Sequence, residues 1–296
     1  MNRALLSRHV LWLAISGSVA AFMVARAHGG PLETVVLIAS VIVLVLATAL
    51  ERFMPYRSDW NQPAGDTRTD LTSAAILVGA VDPLLKAVLP VGVVALWPAA
   101  AQMHWAAGLR SEVPFVLQVL AALLWIELAK YLSHRWHHAQ PGLWWLHALH
   151  HSSTRLYTLN NFRVHPLNHA INQLLAVGPL MLVGVPADVL LACLAITQPV
   201  LMLQHANADL RSGWLNRVFS SNEAHRWHHS SSAAEANCNF GSALLLWDHV
   251  FGTYRAVQAD RGPASIGLFG DADHYPATRG YFEQFGSMLS PACCRA

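Results

Sequence analysis

Long apolar stretches recur along this chain of 296 residues and restrict the folds that it can adopt. They cover approximately residues 10–25, 35–50, 71–97, 113–132 and 171–203. Of all residues, 54% are apolar and only 12% are charged, whereas roughly 25% are charged in a typical soluble domain. Because a bilayer core requires about 20 apolar residues per helix, we predict an all-α, polytopic integral membrane protein.

The overall charge argues against one class of partner. The formal net charge is +2, and the chain has no basic cluster with interleaved aromatic side chains. We therefore expect no binding to nucleic acid. The four cysteines form no CxxC pair and show no zinc-ribbon spacing, so they do not indicate a metal site.

The histidines are concentrated in one part of the chain. Of the 17, 12 lie between residues 134 and 229, and nine of these form the motifs HRWHH (134–138), HALHH (147–151) and HRWHH (225–229). A single histidine is usually solvated or packed in a core. Chance placement does not explain three such motifs beside apolar stretches. Since neutral imidazole is the commonest metal-binding side chain, we interpret the motifs as a metal centre with more than one ion.

The helical period selects the candidate ligands. His134 and His138 are four residues apart and project from one helix face, as do Tyr131 and Glu127 one and two turns earlier. In each HxxHH motif the first two histidines share a face and the third reaches the adjacent side. The predicted metal ligands are His134, His138, His147, His150, His151, His225, His228 and His229, with His205 as a ninth.

Other polar residues are candidates for the surroundings of the metals. His165 is a further candidate ligand, with hydrogen bonding or an interfacial position as the alternative role. Imidazole ligands usually donate their outer N–H to an oxygen acceptor, and we expect Glu127, Asn160 and Asn161 to provide such acceptors. For Glu127, a polar contact between helices is the alternative.

The ligands also constrain the path of the chain. His134 and His205 can bind one centre only if the apolar stretch 171–203 enters the membrane and returns. Gly184 and Pro186 lie in the middle of that stretch and mark the expected turn. We therefore predict a helical hairpin whose two ends lie on the same membrane surface.

Charged and helix-breaking residues give two further expectations. The apolar stretch 71–97 is interrupted by Asp82, Pro83 and Lys86, so we expect a kinked helix or a second hairpin there. The polar segment 134–170, which carries the first two histidine motifs, is basic. By the positive-inside rule, the metal centre is expected to cap the helices on the cytoplasmic side.

The residues around the motifs exclude some classes of metal site. The chain has no HExxH motif of the zinc-protease type and no ExxH pair of the ferritin-like diiron type. Zinc hydrolases need a nearby carboxylate base, which the motifs lack. Nitrogen-rich coordination with open positions suits iron that activates O2, although ligand type alone does not separate iron from zinc, copper or manganese.

Between residues 113 and 254 the sequence resembles a known family. The order HxxxH, HxxHH, HxxHH is similar to that of the fatty acid hydroxylase and sterol desaturase superfamily of membrane diiron oxygenases. Tyr131 before the first motif, the Trp144-Trp145 pair and the RxHP element at 163–166 resemble its bacterial branch. The predicted division is into N-terminal transmembrane helices (1–112), a catalytic domain (113–256) and a C-terminal tail (257–296).

The resemblance implies a chemistry and its partners. It implies two iron ions held by the histidines, O2 as co-substrate, two electrons per turnover and a hydroxylated or desaturated lipid product. The chain has no HPGG haem signature of a fused cytochrome b5 domain. Electrons are therefore expected from a separate ferredoxin or cytochrome b5-like protein with its reductase, and the expected location is a bacterial inner membrane.

Two other functions stay open at this point, namely divalent-metal binding or transport and non-redox zinc hydrolysis. Transport sites usually lie near the bilayer midplane on broken helices, whereas these motifs follow helix ends. The lipid substrate is not determined by the sequence. Members of the superfamily that this chain resembles act on fatty acyl chains, sterols and polar lipids such as ornithine lipids.

Overall fold

The computed structural model describes residues 3–101, 112–258, 262–269, 274–290 and 293. Within these residues the chain is helical and has no strand, only three isolated β-bridges. The α-helices are Arg3–Ala27 (α1), Leu32–Phe53 (α2), Thr67–Ile76 (α3), Asp82–Ala101 (α4), Phe115–Ala139 (α5), Pro141–His151 (α6), Pro166–Leu182 (α7), Ala187–Gln204 (α8), Asn222–His228 (α9), Ala233–Ala236 (α10), Leu246–Phe251 (α11) and Tyr281–Gly286 (α12). Short 3₁₀ helices cover Ser58–Asn61, Thr158–Phe162, Gly213–Arg217 and Ser287–Leu289.

Five helical segments in the described part are long and apolar enough to cross a bilayer. They are α1, α2, the segment Thr67–Gly92, α5 and α8. Large apolar side chains on α2, such as Leu37, Ile42 and Val45, are more than half exposed, as expected for a surface in contact with lipid. The prediction of an all-α integral membrane protein is confirmed.

The predicted hairpin is present between α7 and α8. The chain turns at residues 183–186, where Gly184 has a φ of +72°, a conformation that glycine adopts without a steric penalty. On the side of this turn, Nε of Arg26 at the end of α1 lies 3.0 Å from Oδ2 of Asp188 at the start of α8. The turn and this ion pair lie at one end of the helices. The ends of α5 and α8 that carry histidines lie together at the other end.

The interrupted apolar stretch forms no hairpin. Helix α3 continues into α4 through a five-residue π-helical segment, Leu77–Val81. Pro83 is the second residue after this segment, and a proline ring in a regular α-helix would clash with the carbonyl group four residues earlier. The wider π turn removes this conflict, and the helix runs on.

Small residues allow the helices to approach each other closely around α8. Ala192, Cys193 and Ala195 on α8 and Ala122 on α5 are buried in one apolar cluster with Phe22 of α1. In a bilayer, helix association depends on close packing more than on expulsion of water, so small side chains at the contact are favourable. This packing fixes the ends of α5 and α8 relative to each other, and both ends carry predicted ligands.

Candidate metal centre

Local sequence signals bring the histidine motifs together. Helix α5 ends at Ala139, and α6 begins at Pro141, a residue that suits the first helical position because it needs no backbone hydrogen bond there. The short connection folds the second motif back against the first. Helix α9, which carries the third motif, is capped by Ser221, whose Oγ accepts a hydrogen bond from the backbone N–H of Ala224 at 3.3 Å.

Nine of the ten candidate ligands lie in two clusters. Within each cluster, one potential ligand atom per residue lies within 4.8 Å of all the others. The first cluster contains His134, His138, His147, His151 and His228, and the second contains His150, His205, His225 and His229. The clusters adjoin each other, since the ring centroids of His151 and His229 are 4.4 Å apart.

Outer contacts determine which ring nitrogen faces the centre. For six of these nine histidines, all in the described part, Nδ1 lies beside an oxygen acceptor. Three acceptors are backbone carbonyl oxygens, namely Phe240 O for His134 at 2.7 Å, Arg163 O for His150 at 3.1 Å and Cys238 O for His228 at 3.0 Å. Three are amide oxygens, namely Asn237 for His138 at 3.3 Å, Asn168 for His147 at 2.9 Å and Asn161 for His205 at 2.6 Å. Since these acceptors need a hydrogen on Nδ1, each Nε2 is left with a lone pair directed inward.

The inward nitrogens have the spacing of metal ligands. Nε2 of His134 lies 3.0 Å from Nε2 of His147, and Nε2 of His205 lies 3.3 Å from Nε2 of His150. Two lone pairs repel at such a distance unless a cation lies between them. A metal–nitrogen bond of about 2.1 Å with an angle of 90–110° separates two ligands by roughly 3.0–3.4 Å, which matches.

Unpaired nitrogens support the same interpretation. Nε2 of His138, His151 and His228 is buried and has no hydrogen-bond partner within the described structure. Buried polar atoms normally have a partner, because losing water without replacement costs about 1–3 kcal/mol each. All three belong to the first cluster, so the donor set fits a bound metal ion there.

Burial keeps the imidazoles in the form that binds metal. Desolvation lowers the pKa of His150 to about 4, and it lowers the pKa values of His147, His205, His225 and His229 well below the usual 6.5. Neighbouring histidines add to the effect, since a second positive charge nearby disfavours protonation. At neutral pH these side chains are therefore uncharged and able to act as ligands.

Acid is expected to destabilise the metal-free protein through these histidines. Between pH 6.5 and about 4 the unfolded chain binds a proton at His150 that the folded chain does not bind. The free energy of unfolding therefore falls as the pH falls through this window, by up to about 1.4 kcal/mol per pH unit for each such histidine. For iron-free protein in detergent, the midpoint temperature of thermal unfolding should decrease when the pH is lowered from about 7 to about 5.5. Above about pH 7.5 the midpoint temperature should stay constant. A midpoint that stays level down to about pH 5.5 would contradict this prediction.

Three further histidines between residues 134 and 229 lie outside both clusters. His165 is the N-cap of α7, where its Nδ1 accepts a hydrogen bond from the Leu167 N–H at 3.1 Å. Its ring stacks on Phe285 with centroids 4.9 Å apart. This is the alternative role stated above for His165, hydrogen bonding in place of metal binding. His137 contacts the Ser133 carbonyl oxygen at 2.7 Å, and His169 lies 2.7 Å from a carboxylate oxygen of Asp82.

The predicted outer acceptors divide into one that contacts a ligand and two that do not. Asn161 contacts His205 as described above. The carboxylate of Glu127 instead accepts hydrogen bonds from the backbone N–H groups of Ala243 and Leu244, at 2.9 and 2.8 Å. Glu127 lies two turns, about 10 Å, before His134 on α5, and within the described residues it forms no hydrogen bond with a histidine of either cluster. This corrects the expectation for Glu127, whose role is the alternative one of a contact between segments.

Asn160 also contacts no histidine. Its Nδ2 lies 3.2 Å from Oδ2 of Asp70, and its Oδ1 accepts a hydrogen bond from the Tyr157 N–H at 3.0 Å. The side chains of Asn160 and Asn161 diverge because the two residues follow each other in the 3₁₀ helix Thr158–Phe162. The expectation for Asn160 is therefore corrected as well.

Sequence reasoning missed several residues around the ligands. Asn168 and Asn237 contact ligands through their amide oxygens, and Phe240 contacts His134 through its backbone. Asn168 lies next to His169 in the sequence HPLNH, the one local signal that could have drawn attention to it. The contact of a backbone carbonyl group leaves no trace in the residue type, so Phe240 could not be found that way.

Comparison with known proteins agrees with this geometry. The family model described as fatty acid hydroxylase matches residues 119–253. The ornithine lipid hydroxylase OlsE of Rhizobium tropici is 34% identical over 253 residues, which cover 83% of this chain and 74% of that protein. The chain belongs to the fatty acid hydroxylase family.

Two relatives with lower identity match about half of the chain. Alkylglycerol monooxygenases of Caenorhabditis elegans and Danio rerio are 27% and 26% identical over 143 and 140 residues. These matches cover 48% and 47% of this chain but only 28% and 31% of those proteins. No solved structure matches the chain. The prediction of a membrane lipid hydroxylase, an oxidoreductase, is confirmed, and the histidine clusters together with the family indicate an iron-dependent oxygenase.

Proposed function

We propose that this protein is a diiron enzyme that hydroxylates a polar membrane lipid of the ornithine-lipid type. The observation that carries the proposal is the pair of adjoining histidine clusters, each with inward ring nitrogens at ligand spacing. The substrate class is supported by the similarity to the hydroxylase OlsE, which extends over most of both chains. Bound iron would supply an oxidant able to break an alkyl C–H bond.

The two clusters are proposed to hold one iron each. His134, His138, His147, His151 and His228 would bind the first ion, and His150, His205, His225 and His229 the second. His134 and His138 are only partly buried, whereas the four histidines of the second cluster are buried. We therefore place the approach of the lipid chain and of O2 at the first cluster, and we assign a more enclosed position to the second ion.

Apolar side chains line the first cluster. The ring of Phe240 lies 5.1 Å from that of His138 and 5.6 Å from the rings of His134 and His228, measured between centroids. An apolar wall excludes water, which would otherwise divert a reactive oxidant from the alkyl chain. Tyr131 supports this wall, with its ring 6.2 Å from Phe240.

Charge supports a cytoplasmic position of the centre in a bacterial inner membrane. The start of α1, with Arg3 and Arg8, lies at the end of the molecule that carries the centre, since the Arg211 N–H donates to the Ser7 carbonyl oxygen at 3.0 Å. Arg26 lies at the opposite end of α1. The positive-inside rule then favours the cytoplasm for the histidine clusters. A separate ferredoxin or cytochrome b5-like protein with its reductase would deliver two electrons there.

The donor set favours this function over the two alternatives. No carboxylate belongs to either cluster in the described part of the chain, and a zinc hydrolase would need one as a base. The clusters lie at helix ends, where α5 and α8 stop, and metal transport sites usually lie near the bilayer midplane.

Lipid analysis tests the proposal directly. In cells that make ornithine lipids without hydroxylating them, expression of this protein should produce an ornithine lipid heavier by one oxygen atom. Mass spectrometry after growth in isotopically labelled O2 should find one labelled atom in the product, whereas desaturation would leave none. Cells grown without O2, and cells that express His228→Ala, should lack the product. An unchanged lipid profile in aerobic cells that contain the iron-loaded protein would contradict the proposed substrate.

A further inference from the structure

A segment of the C-terminal tail pairs with the chain that follows the third histidine motif. Residues 262–269 lie beyond the part of the chain that the family model matches. The backbone N–H of Ser231 donates to the Ser265 carbonyl oxygen, and that of Gly267 donates to the His229 carbonyl oxygen, both at 3.1 Å. The tail is thereby attached directly to a residue of the second cluster.

Two residues fix the course of this segment. Ile266 is buried in an apolar cluster with Trp60 and Leu156. Gly267 has a φ of +143°, a backbone conformation that other residues rarely adopt. A Cβ atom at Gly267 would have open space except for the Ser153 carbonyl oxygen at 3.9 Å, so the backbone angle accounts for the glycine.

The segment ends with an aromatic ring against the first cluster. Phe269 is only 9% exposed, and its ring centroid lies 4.5 Å from that of Trp144. It lies 5.5 Å from the ring of His138 and 5.9 Å from that of His151. Phe269 and Trp144 therefore cover the same cluster whose ligands His134 and His138 are partly exposed.

We propose that Phe269, held by the paired segment 262–269, is an active-site residue that closes the first cluster against water. Its ring offers no polar atom to a ligand, so its contribution is to exclude solvent and to add apolar surface beside the alkyl chain. An enclosed site protects the metal–imidazole bonds from exchange with water and chelators and favours attack on the lipid over side reactions. The contact with the alkyl chain rests on the proposed function. The protection of the metal requires only that the first cluster holds a metal ion.

The rate of iron loss tests the proposal without measuring activity. Iron-loaded full-length protein in detergent is mixed with a water-soluble iron chelator, and the coloured complex is followed over time. Phe269→Ala should lose iron at least about five times faster than the wild type, since a covering ring is removed. Phe282→Ala is the matched control, because Phe282 belongs to the same tail and is 69% exposed. It should lose iron at the wild-type rate.

Two further variants keep the test decisive if Phe269→Ala folds poorly. Phe269→Leu retains most of the apolar volume and should lose iron at an intermediate rate. Gly267→Ala changes no side chain that contacts the metals, but it strains the backbone of the paired segment and should displace Phe269, so it should also accelerate iron loss. Rates equal to the wild type in stable Phe269→Leu and Gly267→Ala proteins would overturn the proposal. If the variants lose iron faster but the wild type hydroxylates no lipid, the result would support the closing role of Phe269 and contradict the proposed function.

Discussion

Replacing His205 by alanine should abolish hydroxylation and remove iron from the second cluster. His205 is buried, and its Nε2 lies within hydrogen-bonding distance of Nε2 of His150, His229 and His225, at 3.3, 3.1 and 3.1 Å. It is therefore the candidate ligand that lies closest to the other members of this cluster. Loss of a residue that only orients a ligand typically costs 10–100-fold in metal affinity or activity, so removal of the ligand itself should cost more than about 100-fold.

A matched substitution in the first cluster separates the two sites. His228→Ala removes a proposed ligand whose buried Nε2 has no hydrogen-bond partner in the described structure. We expect each variant to retain about half of the wild-type iron, because each affects one cluster. Mössbauer spectra should then show the signal of a single iron site, which differs between the two variants. Product formation should be lost in both.

The control for both variants is His249→Ala. His249 is exposed, belongs to neither cluster, and contacts the Arg217 carbonyl oxygen at 2.9 Å. Iron content from mass spectrometry and lipid hydroxylation should match the wild type. Full iron content and activity in either His205→Ala or His228→Ala would show that the assignment of that cluster is wrong.

Replacing Arg163 by methionine is expected to give the largest loss of stability. Nη1 of Arg163 lies 3.0 Å from Oδ1 of Asp70, and both side chains are buried, at 2% and 0% exposure. Nε of Arg163 donates to the Leu149 carbonyl oxygen at 3.1 Å and to Oγ of Ser152 at 3.0 Å. Breaking a buried pair leaves an uncompensated charge and costs about 3–5 kcal/mol.

This ion pair also reaches the metal centre. The carbonyl oxygen of Arg163 is the acceptor for Nδ1 of His150, so movement of this segment should weaken iron binding in the second cluster. Arg163→Met should therefore lower the midpoint of thermal unfolding in detergent by roughly 5–10 °C and reduce the iron content. Asp70→Asn combined with Arg163→Met should recover part of the stability, since the buried charge is gone.

An exposed ion pair provides the comparison. Arg57 and Asp59 form a 2.8 Å contact but are 43% and 61% exposed. Solvent screens such a pair, so Arg57→Met should cost less than about 1 kcal/mol. Equal shifts of the unfolding midpoint in Arg163→Met and Arg57→Met would contradict the stabilising role assigned to the buried pair.

Much of the membrane architecture followed from the sequence. The apolar stretches predicted the spanning helices. The need to bring His134 and His205 together predicted a hairpin that turns at residues 184–186, and the structure has the turn at residues 183–186. For the stretch that contains Asp82 and Pro83, the composition was consistent with both a kink and a hairpin. A π-helical segment, Leu77–Val81, lets the helix continue there. Such a turn depends on local packing and has no signature in the sequence. The division into domains at residues 112 and 256 stays a prediction.

By itself, the sequence determined the type and helical spacing of the candidate ligands, because imidazole chemistry and the period of the helix are local properties. Only the tertiary structure decided how the nine histidines divide into two clusters and which atoms orient them. His134, for example, contacts the carbonyl oxygen of Phe240, 106 residues away. Likewise, Glu127 lies on the ligand face of its helix but binds the backbone at residues 243 and 244. Contacts of this kind depend on where distant segments pack against each other, and the helical period of one segment carries no information about that.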